Sequence, residues 1–109
     1  MTGMPTNEFL KNVDSLYDNA ERMKEILDEI LQTISEIEFF GPVAHDYVRN
    51  LSSQRALINL AMLYASDAHE LERKRDRETA VMCIGHYNQI LEIILKLDNK
   101  LDEMRKNNG

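Results

Sequence analysis

The chain has few of the residues that break helices or support redox and metal chemistry. Its 109 residues include one cysteine, two prolines, four glycines and no tryptophan. The lone thiol, Cys83, excludes an intrachain disulfide and cannot form a thiolate metal site by itself. No apolar run approaches the roughly 18 residues that cross a bilayer, and no charged start followed by an apolar stretch marks a leader. We therefore expect a soluble, cytoplasmic chain that packing alone stabilises.

What remains is the composition of an ordinary globular domain. Hydrophobic residues make up 43% of the chain and charged residues 29%, whereas disorder would need fewer apolar groups and more net charge. A chain of this length has room for one core. We therefore expect a single domain over residues 1–109.

The first periodic segment predicts a helix over about residues 6–38. Pro5 and the capping residues after it precede Glu8, which suits the positive end of the helix dipole. Gly41 and Pro42 can end this helix and open the next. Its main apolar positions alternate four and three apart, and flanking apolar residues, Ile26 among them, suit a helix packed against two neighbours. The main positions are Phe9, Val13, Leu16, Ala20, Met23, Leu27, Ile30, Ile34 and Ile37.

The second helix is predicted over residues 42–73 and is apolar almost all round. Between Ala56 and Ala65 only Asn59 is polar. Such a helix is either the buried centre of its own bundle or a surface that another chain covers, and the sequence leaves both open. We expect a protein partner or a homodimer, with this interface: Leu57, Leu60, Leu63, Tyr64, Phe39 and Phe40.

The third helix is predicted over residues 77–106. A second regular seam marks it, and Gly85 is expected to permit a close helix contact. The junction over residues 72–77 has no glycine or proline. If it stayed helical, the second and third helices could not fold back on each other, and their seams would need a second chain, as in a swapped dimer. We predict a turn there, with Asp76 capping the third helix. The expected fold is all-α, an antiparallel three-helix up-down-up bundle that dimerisation could complete.

Charge is unevenly spread over the chain, whose net charge is −6. Residues 1–40 hold nine acidic and three basic side chains, whereas the rest is nearly balanced. Nucleic-acid binding is disfavoured, because the basic cluster Arg73, Lys74, Arg75 and Arg77 is confined to the tip of a hairpin. One alternative is an acidic inhibitor that docks on a basic nucleic-acid-binding partner.

His45 and Asp46 lie in the first turn of the second helix, where backbone amides can hold an anion and an acidic neighbour can assist a histidine. Locally, this segment resembles the phosphoacceptor stretch of dimeric sensor kinases and, more loosely, the histidine phosphotransfer domain. In that domain a lysine and a glycine follow the histidine. At the corresponding positions after His45 this chain has Val48, Arg49 or Asn50 instead. The resemblance implies a signalling module in which His45 accepts phosphate.

The segment Phe39-Phe40-Gly41-Pro42 looks like the hairpin of the WXG100 proteins of type VII secretion, which are small acidic helical dimers. Phe39 stands where that family has tryptophan, and the third seam has no counterpart in its two-helix fold. The resemblance implies a secreted helical hairpin. The alternative is that two aromatic residues close the end of the bundle core.

The remaining histidines could be considered for metal binding. His69 and Glu72 are three apart on one helix and His86 is on the next, but di-iron bundles need repeated inward glutamate and histidine pairs that the sequence lacks. We expect these three residues at the surface and Cys83 in the core. No catalytic residue, metal, cofactor, small-molecule substrate, nucleic acid or membrane is predicted. The sequence favours a non-enzymatic interaction or assembly subunit.

Overall fold

Three long helices make up the described part of the chain. The computed structural model describes residues 3–36 and 42–108, in which α1 is Thr6–Glu36, α2 is Pro42–Arg73 and α3 is Arg77–Asn108. The middle helix α2 packs along both neighbours, whereas α1 and α3 hardly meet. No strand occurs within these residues. The expected three-helix up-down bundle is confirmed.

The turn between α2 and α3 lies where the sequence predicts it. Arg75 has a φ of 66°, and the N–H groups of Arg75 and Asp76 donate to the carbonyls of Glu72 and Leu71, both at 2.9 Å. These are the two hydrogen bonds of a left-handed helix ending. The Asp76 carboxylate then accepts from the N–H of Thr79 at 3.1 Å. Capping by Asp76 is therefore confirmed.

One face of α2 contacts both neighbouring helices. Along it, buried and half-buried positions alternate three and four apart, as a helix seam requires. Two of these positions, Gln54 and Glu72, are polar, so the seam is not apparent from the apolar residues of the sequence alone. The positions are Ala44, Tyr47, Leu51, Gln54, Ile58, Ala61, Ala65, Ala68 and Glu72.

Side-chain size changes along this face of α2. Toward the carboxyl end it presents Ala61, Ala65 and Ala68, all almost fully buried. Toward the amino end it presents Leu51, Gln54 and Ile58, which are much larger. Because the distance between packed helices depends on the side chains at the contact, we expect the alanines to admit both neighbours closely. We call the end where α1 begins the closed end, and the end where α1 stops the open end.

An ion pair holds the closed end together. The guanidinium of Arg77 contacts both carboxylate oxygens of Glu72, with Nη2 to Oε2 at 2.7 Å. The same Nη2 donates to the carbonyl of Met4 at 2.9 Å, and Cζ lies 4.2 Å from the ring centroid of Phe9. This hydrogen bond from Arg77 lowers the pKa of Glu72, against an opposing effect of desolvation. Glu72 is only 4% exposed, so its predicted surface position is wrong.

A second link joins α1 to α3 directly. The hydroxyl of Tyr87 donates to the backbone carbonyl of Leu16 at 2.5 Å, and the Tyr87 side chain is among the largest that are fully buried. Burial raises the pKa of Tyr87. A buried tyrosine that fills space and satisfies its own hydroxyl fixes the separation of two helices at this level.

Gly85 does not mediate a helix contact. A Cβ placed on this exposed residue would meet nothing within 4 Å. The predicted close approach is therefore wrong, because Gly85 faces away from α2 and from α1. The regular apolar seam that the sequence predicts on this helix is formed by other residues, of which Ala80, Tyr87, Ile90 and Ile94 are buried.

The bundle is long and flattened. Its principal extents are 52 × 23 × 15 Å and its radius of gyration is 17.0 Å, against about 13 Å for a compact chain of this length.

Of the helices in the described ranges, none has the length and apolar character needed to cross a membrane.

Candidate functional site

An apolar groove lies between α1 and α3 at the open end, with α2 as its floor. Its volume is about 490 Å³. Along α3 it extends over residues 91–105, which is on the order of 20 Å at 1.5 Å per residue. The lining is aliphatic except for one tyrosine and three polar or charged residues. It comprises Met23, Ile26, Leu27, Ile30, Tyr47, Leu51, Gln54, Ile58, Leu91, Ile94, Leu95, Asp98, Leu101 and Arg105.

Both rims of the groove expose large aliphatic side chains. Ile26 on α1 is 53% exposed, Ile30 beside it is also exposed, and Leu95 on α3 is 61% exposed. Residues of the lining on α1 and on α3 recur three and four apart, which is the pattern that a packed helix presents to a neighbour. The groove therefore has the form of a bundle position that a fourth helix would occupy.

The floor of the groove contains a polar pair. Gln54 donates from Nε2 to Oδ1 of Asn50, and Asn50 donates from Nδ2 to the carbonyl of Leu97, both at 2.9 Å. The two amides are almost fully buried. Through them α2 is hydrogen-bonded to the backbone of α3. On the other side α1 is linked to α2 by an exposed ion pair, with Nε of Arg55 2.6 Å from a carboxylate oxygen of Asp28.

Charge at the groove is balanced. Asp98 and Arg105 are the two charged residues of the lining. The Arg105 guanidinium donates to the hydroxyl of Tyr47 at 2.8 Å and lies 3.5 Å from a carboxylate oxygen of Asp102. This hydrogen bond to Tyr47 is the main reason that the pKa of Arg105 is raised. The cation is thus held at one end of the groove.

The interface predicted on α2 lies on a different face of the bundle. Leu63 is 61% exposed and Leu60 is also exposed. Leu57 and Tyr64 are half-buried and pack against the core; the ring of Tyr64 is 5.1 Å from that of His86. Phe39 and Phe40 lie outside the described residues. That this face binds a partner stays a prediction.

The predicted phosphoacceptor segment is accessible. His45 and Asp46 are both exposed in the first turn of α2. Neither side chain makes a hydrogen bond or an ion pair to another described residue. A role in phosphate transfer stays a prediction, as does the hairpin resemblance, since Phe39 to Gly41 lie outside the described ranges.

The other candidate residues are dispersed. His69 lies 3.6 Å from the carboxylate of Asp14, His86 contacts the side chain of Gln89 at 3.4 Å, and Glu72 is committed to Arg77. Cys83 is half-buried, and desolvation is the main cause that raises its thiol pKa. Within residues 3–36 and 42–108, no three histidine, cysteine or acidic residues are grouped to hold a metal ion.

The groove itself was not predicted from the sequence. Ile26 indicated part of the groove, because it flanks the main seam of α1 and widens the apolar face of that helix. On α3 the matching signal is the pair Leu91 and Leu95, four apart and one position beyond the buried seam. The spacing of apolar residues does not predict the distance between α1 and α3, on which the groove depends.

Comparison of the chain with protein-family models, with curated proteins and with solved structures returned no match.

Proposed function

We propose that the chain is a non-enzymatic assembly subunit that binds an amphipathic helix in the groove at its open end. The observation that carries this proposal is the exposure of Ile26, Ile30 and Leu95 on the two rims of one continuous aliphatic groove. Contiguous exposed apolar surface with polar surroundings is typical of protein-binding sites. Grooves between helices commonly bind an apolar helix face through residues spaced three and four apart.

The shape of the groove supports a helix rather than a small molecule as its occupant. Small ligands are usually bound in concave sites that bury most of their surface. This groove is an open trough on the order of 20 Å long, which matches about four turns of helix. Its walls, which are mostly aliphatic, would otherwise face water. Removal of that apolar surface from water favours binding of a helix.

The chain offers a matched pair of variants to test this function. Leu95 in the groove and Leu63 on the outer face of α2 are the same residue type and equally exposed at 61%. We expect Leu95→Asp to weaken binding, of a partner protein or of the chain itself, by at least about tenfold. Leu63→Asp should change it by less than about twofold. The measurement is the dissociation constant, by titration with the purified partner or by dilution of the chain.

Two results would contradict the proposal. If Leu63→Asp abolishes binding and Leu95→Asp does not, the docking surface is the α2 face predicted from the sequence. If both variants bind as the unchanged chain does, neither face is the docking surface. Far-ultraviolet circular dichroism of each variant controls for loss of the helical fold.

The other sequence-based hypotheses keep their own tests. A phosphotransfer role requires acid-labile phosphate on His45 that His45→Gln removes. A secretion role requires the chain outside the cell and dependence on Phe39 and Gly41. An acidic inhibitor would bind a basic partner with an affinity that falls steeply with salt. The cytoplasmic location also stays a prediction.

A further inference from the structure

We infer that the helix bound in the groove is basic, with lysine or arginine residues along the edge of its apolar stripe that faces α1. This inference rests on the proposed function and adds the chemical class of the partner. The partner is a helix of another protein, and not a second copy of this chain. Carboxylates beside the groove carry the assignment, because they make the approach to its α1 rim negative.

The net charge of the chain is concentrated in one segment, whose described residues lie at the open end. Residues 25–48 contain six acidic residues and no lysine or arginine, whereas the rest of the chain contains thirteen residues of each sign. The segment includes Ile26 and Ile30 of the α1 rim and the first turns of α2. Surface charge of one sign attracts partners of the opposite sign and repels its own. A second copy would bring an identical acidic segment to the groove.

Two of these carboxylates flank the α1 rim. Glu25 and Glu29 are exposed, and each directly precedes one of the two rim isoleucines. Neither carboxylate has a hydrogen bond or an ion pair within the described ranges, whereas Asp28 nearby is paired with Arg55. Residues four apart lie on one edge of a helix, where like charges repel weakly. Cations of a bound helix would remove that repulsion.

On the α3 side the one cation of the groove lining is already engaged. Arg105 donates to the hydroxyl of Tyr47 and contacts the carboxylate of Asp102. Asp98 also helps to raise the pKa of Arg105, although the hydrogen bond to Tyr47 is the main cause. Two carboxylates therefore accompany one guanidinium on this side. An acidic helix would find no comparable attraction on either rim.

The end of α1 adds to the negative field. The carboxyl end of a helix has a partial negative charge, which basic residues in its last turn can offset. The last turn of α1 has no basic residue and ends at Glu36, whereas that of α3 contains Arg105 and Lys106. Basic side chains of a bound helix are therefore attracted most strongly along α1.

Lysine and arginine also have a suitable shape for this rim. Their aliphatic stems can cover exposed isoleucines while the charged group reaches a carboxylate. Because Glu25 and Glu29 are about one helical turn apart, two cations four apart on the partner can each meet one of them. The partner is thus a helix with apolar residues three and four apart and basic residues four apart along one edge.

The first experiment compares two model peptides of about 14 residues, or four turns. Both have leucine at three and four spacing, and the edge positions hold lysine in one peptide and glutamate in the other. The dissociation constant is measured by fluorescence anisotropy of the labelled peptides. We expect the chain to bind the lysine peptide at least about tenfold more tightly. The preference should shrink as the salt concentration rises, because ions screen the attraction.

Charge reversal on the rim gives a sharper test. The double variant Glu25→Lys, Glu29→Lys should bind the lysine peptide about tenfold more weakly and the glutamate peptide more tightly. The control is Asp14→Lys, Asp18→Lys, which reverses two exposed charges four apart on the same helix but outside the groove lining. It should change either affinity by less than about threefold. If circular dichroism shows that the rim variant is unfolded, Glu25→Gln with Glu29→Gln replaces it.

The outcomes separate this inference from the proposed function. If the two double variants weaken binding of the lysine peptide equally, the attraction is that of net charge alone and the inference is overturned. If both peptides bind equally well and Leu95→Asp abolishes both, the inference fails and the proposed function stands. A lysine peptide that does not bind, or that binds regardless of Leu95→Asp, overturns the inference, and titration with the purified partner then decides the proposed function separately.

Light scattering of the chain alone tests a second copy as the occupant of the groove. We expect the unchanged chain and Leu95→Asp to have the same solution mass throughout a dilution series. A dimer that Leu95→Asp dissociates would show that a second copy covers the groove, and would overturn the inference.

Discussion

The closed and open ends of the bundle are built from the same three helices but differ in how those helices meet. At the closed end Arg77 of α3 contacts Glu72 of α2, the carbonyl of Met4 just before α1 and the ring of Phe9 in α1. The hydroxyl of Tyr87 donates a hydrogen bond to the carbonyl of Leu16. At the open end α3 is hydrogen-bonded to α2 through Asn50 and Tyr47. There α1 is held to α2 by the ion pair of Asp28 with Arg55, has no such link to α3 among the described residues, and leaves aliphatic rims exposed.

We attribute the difference to side-chain volume along α2. The small residues Ala61, Ala65 and Ala68 lie at the closed level, and the larger Leu51, Gln54 and Ile58 lie under the groove. A gradient of side-chain size on the central helix can thus open one end of a bundle without any break in helix geometry. The closed end is then closely packed, and the open end keeps exposed apolar surface.

The largest expected effect is at the closed end. Tyr87→Ala removes a fully buried ring and its hydrogen bond, so we expect the free energy of unfolding to fall by about 3–5 kcal/mol, as for other buried aromatic truncations. The measurement is urea denaturation at a protein concentration where the chain is monomeric. Leu95→Ala on the same helix is the control and should cost less than about 0.5 kcal/mol. Similar losses for the two variants would contradict the contrast between the ends.

The next effect concerns the ion pair. Because Arg77 lowers the pKa of Glu72 in the folded chain, this pair stabilises the fold above the ordinary carboxyl pKa of 4.5, and that contribution is lost as the pH falls through the lowered value. Glu72→Gln should therefore lower the Tm at pH 7 and flatten the dependence of Tm on pH below about 4.5. Glu70→Gln, in an exposed pair with Lys74, should change neither. An unaltered acid profile in Glu72→Gln would contradict the assignment.

A smaller loss is expected at the turn that leads into α3. Asp76→Ala removes the cap on the N–H of Thr79 and should lower the free energy of unfolding by about 1 kcal/mol. Asp76→Asn keeps an acceptor oxygen and should recover most of that loss. Chemical denaturation of the three chains checks this, and equal stability of the alanine variant and the unchanged chain would show that the cap is dispensable.

The smallest effect is a gain. Gly85 is exposed within α3 and an added Cβ would meet nothing, so Gly85→Ala should raise the free energy of unfolding by about 0.8–1 kcal/mol through helix propensity alone. Binding at the groove should not change, because this position faces elsewhere. A loss of stability would mean that Gly85 does have a close neighbour.

Helix number, helix order and the turn between α2 and α3 could be predicted because they depend on local signals. Pro42 opens α2 as expected, and Asp76 caps α3 although no glycine marks the preceding turn. Arg75 adopts the left-handed conformation instead, since the paired hydrogen bonds of the helix ending compensate for its strain. The regular seams on α1 and α3 predicted their buried faces for the same reason, except that Ile30 of the α1 seam is exposed at the rim of the groove.

The groove and the Arg77 pair could not be predicted, because they depend on distances between helices. Glu72 and Gln54 occupy seam positions on α2, and a polar residue there looks like an interruption until its partner is known. Leu60 and Leu63 were predicted as an interface because they are apolar, and both are exposed on α2 away from its seam, Leu63 on the opposite side of the helix. The separation of α1 from α3 results from the sizes of many side chains together and has no local sequence signature.

The helix α2 packs on both neighbours, whereas α1 and α3 hardly meet. This arrangement also affects how fast the chain folds. Nearly every tertiary contact joins helices adjacent in sequence, so few long loops must close before native contacts form. Helical topologies of this sort fold in microseconds to milliseconds. During synthesis, the hairpin of α1 and α2 can assemble before α3 has emerged, and the groove comes into existence only when the last helix arrives.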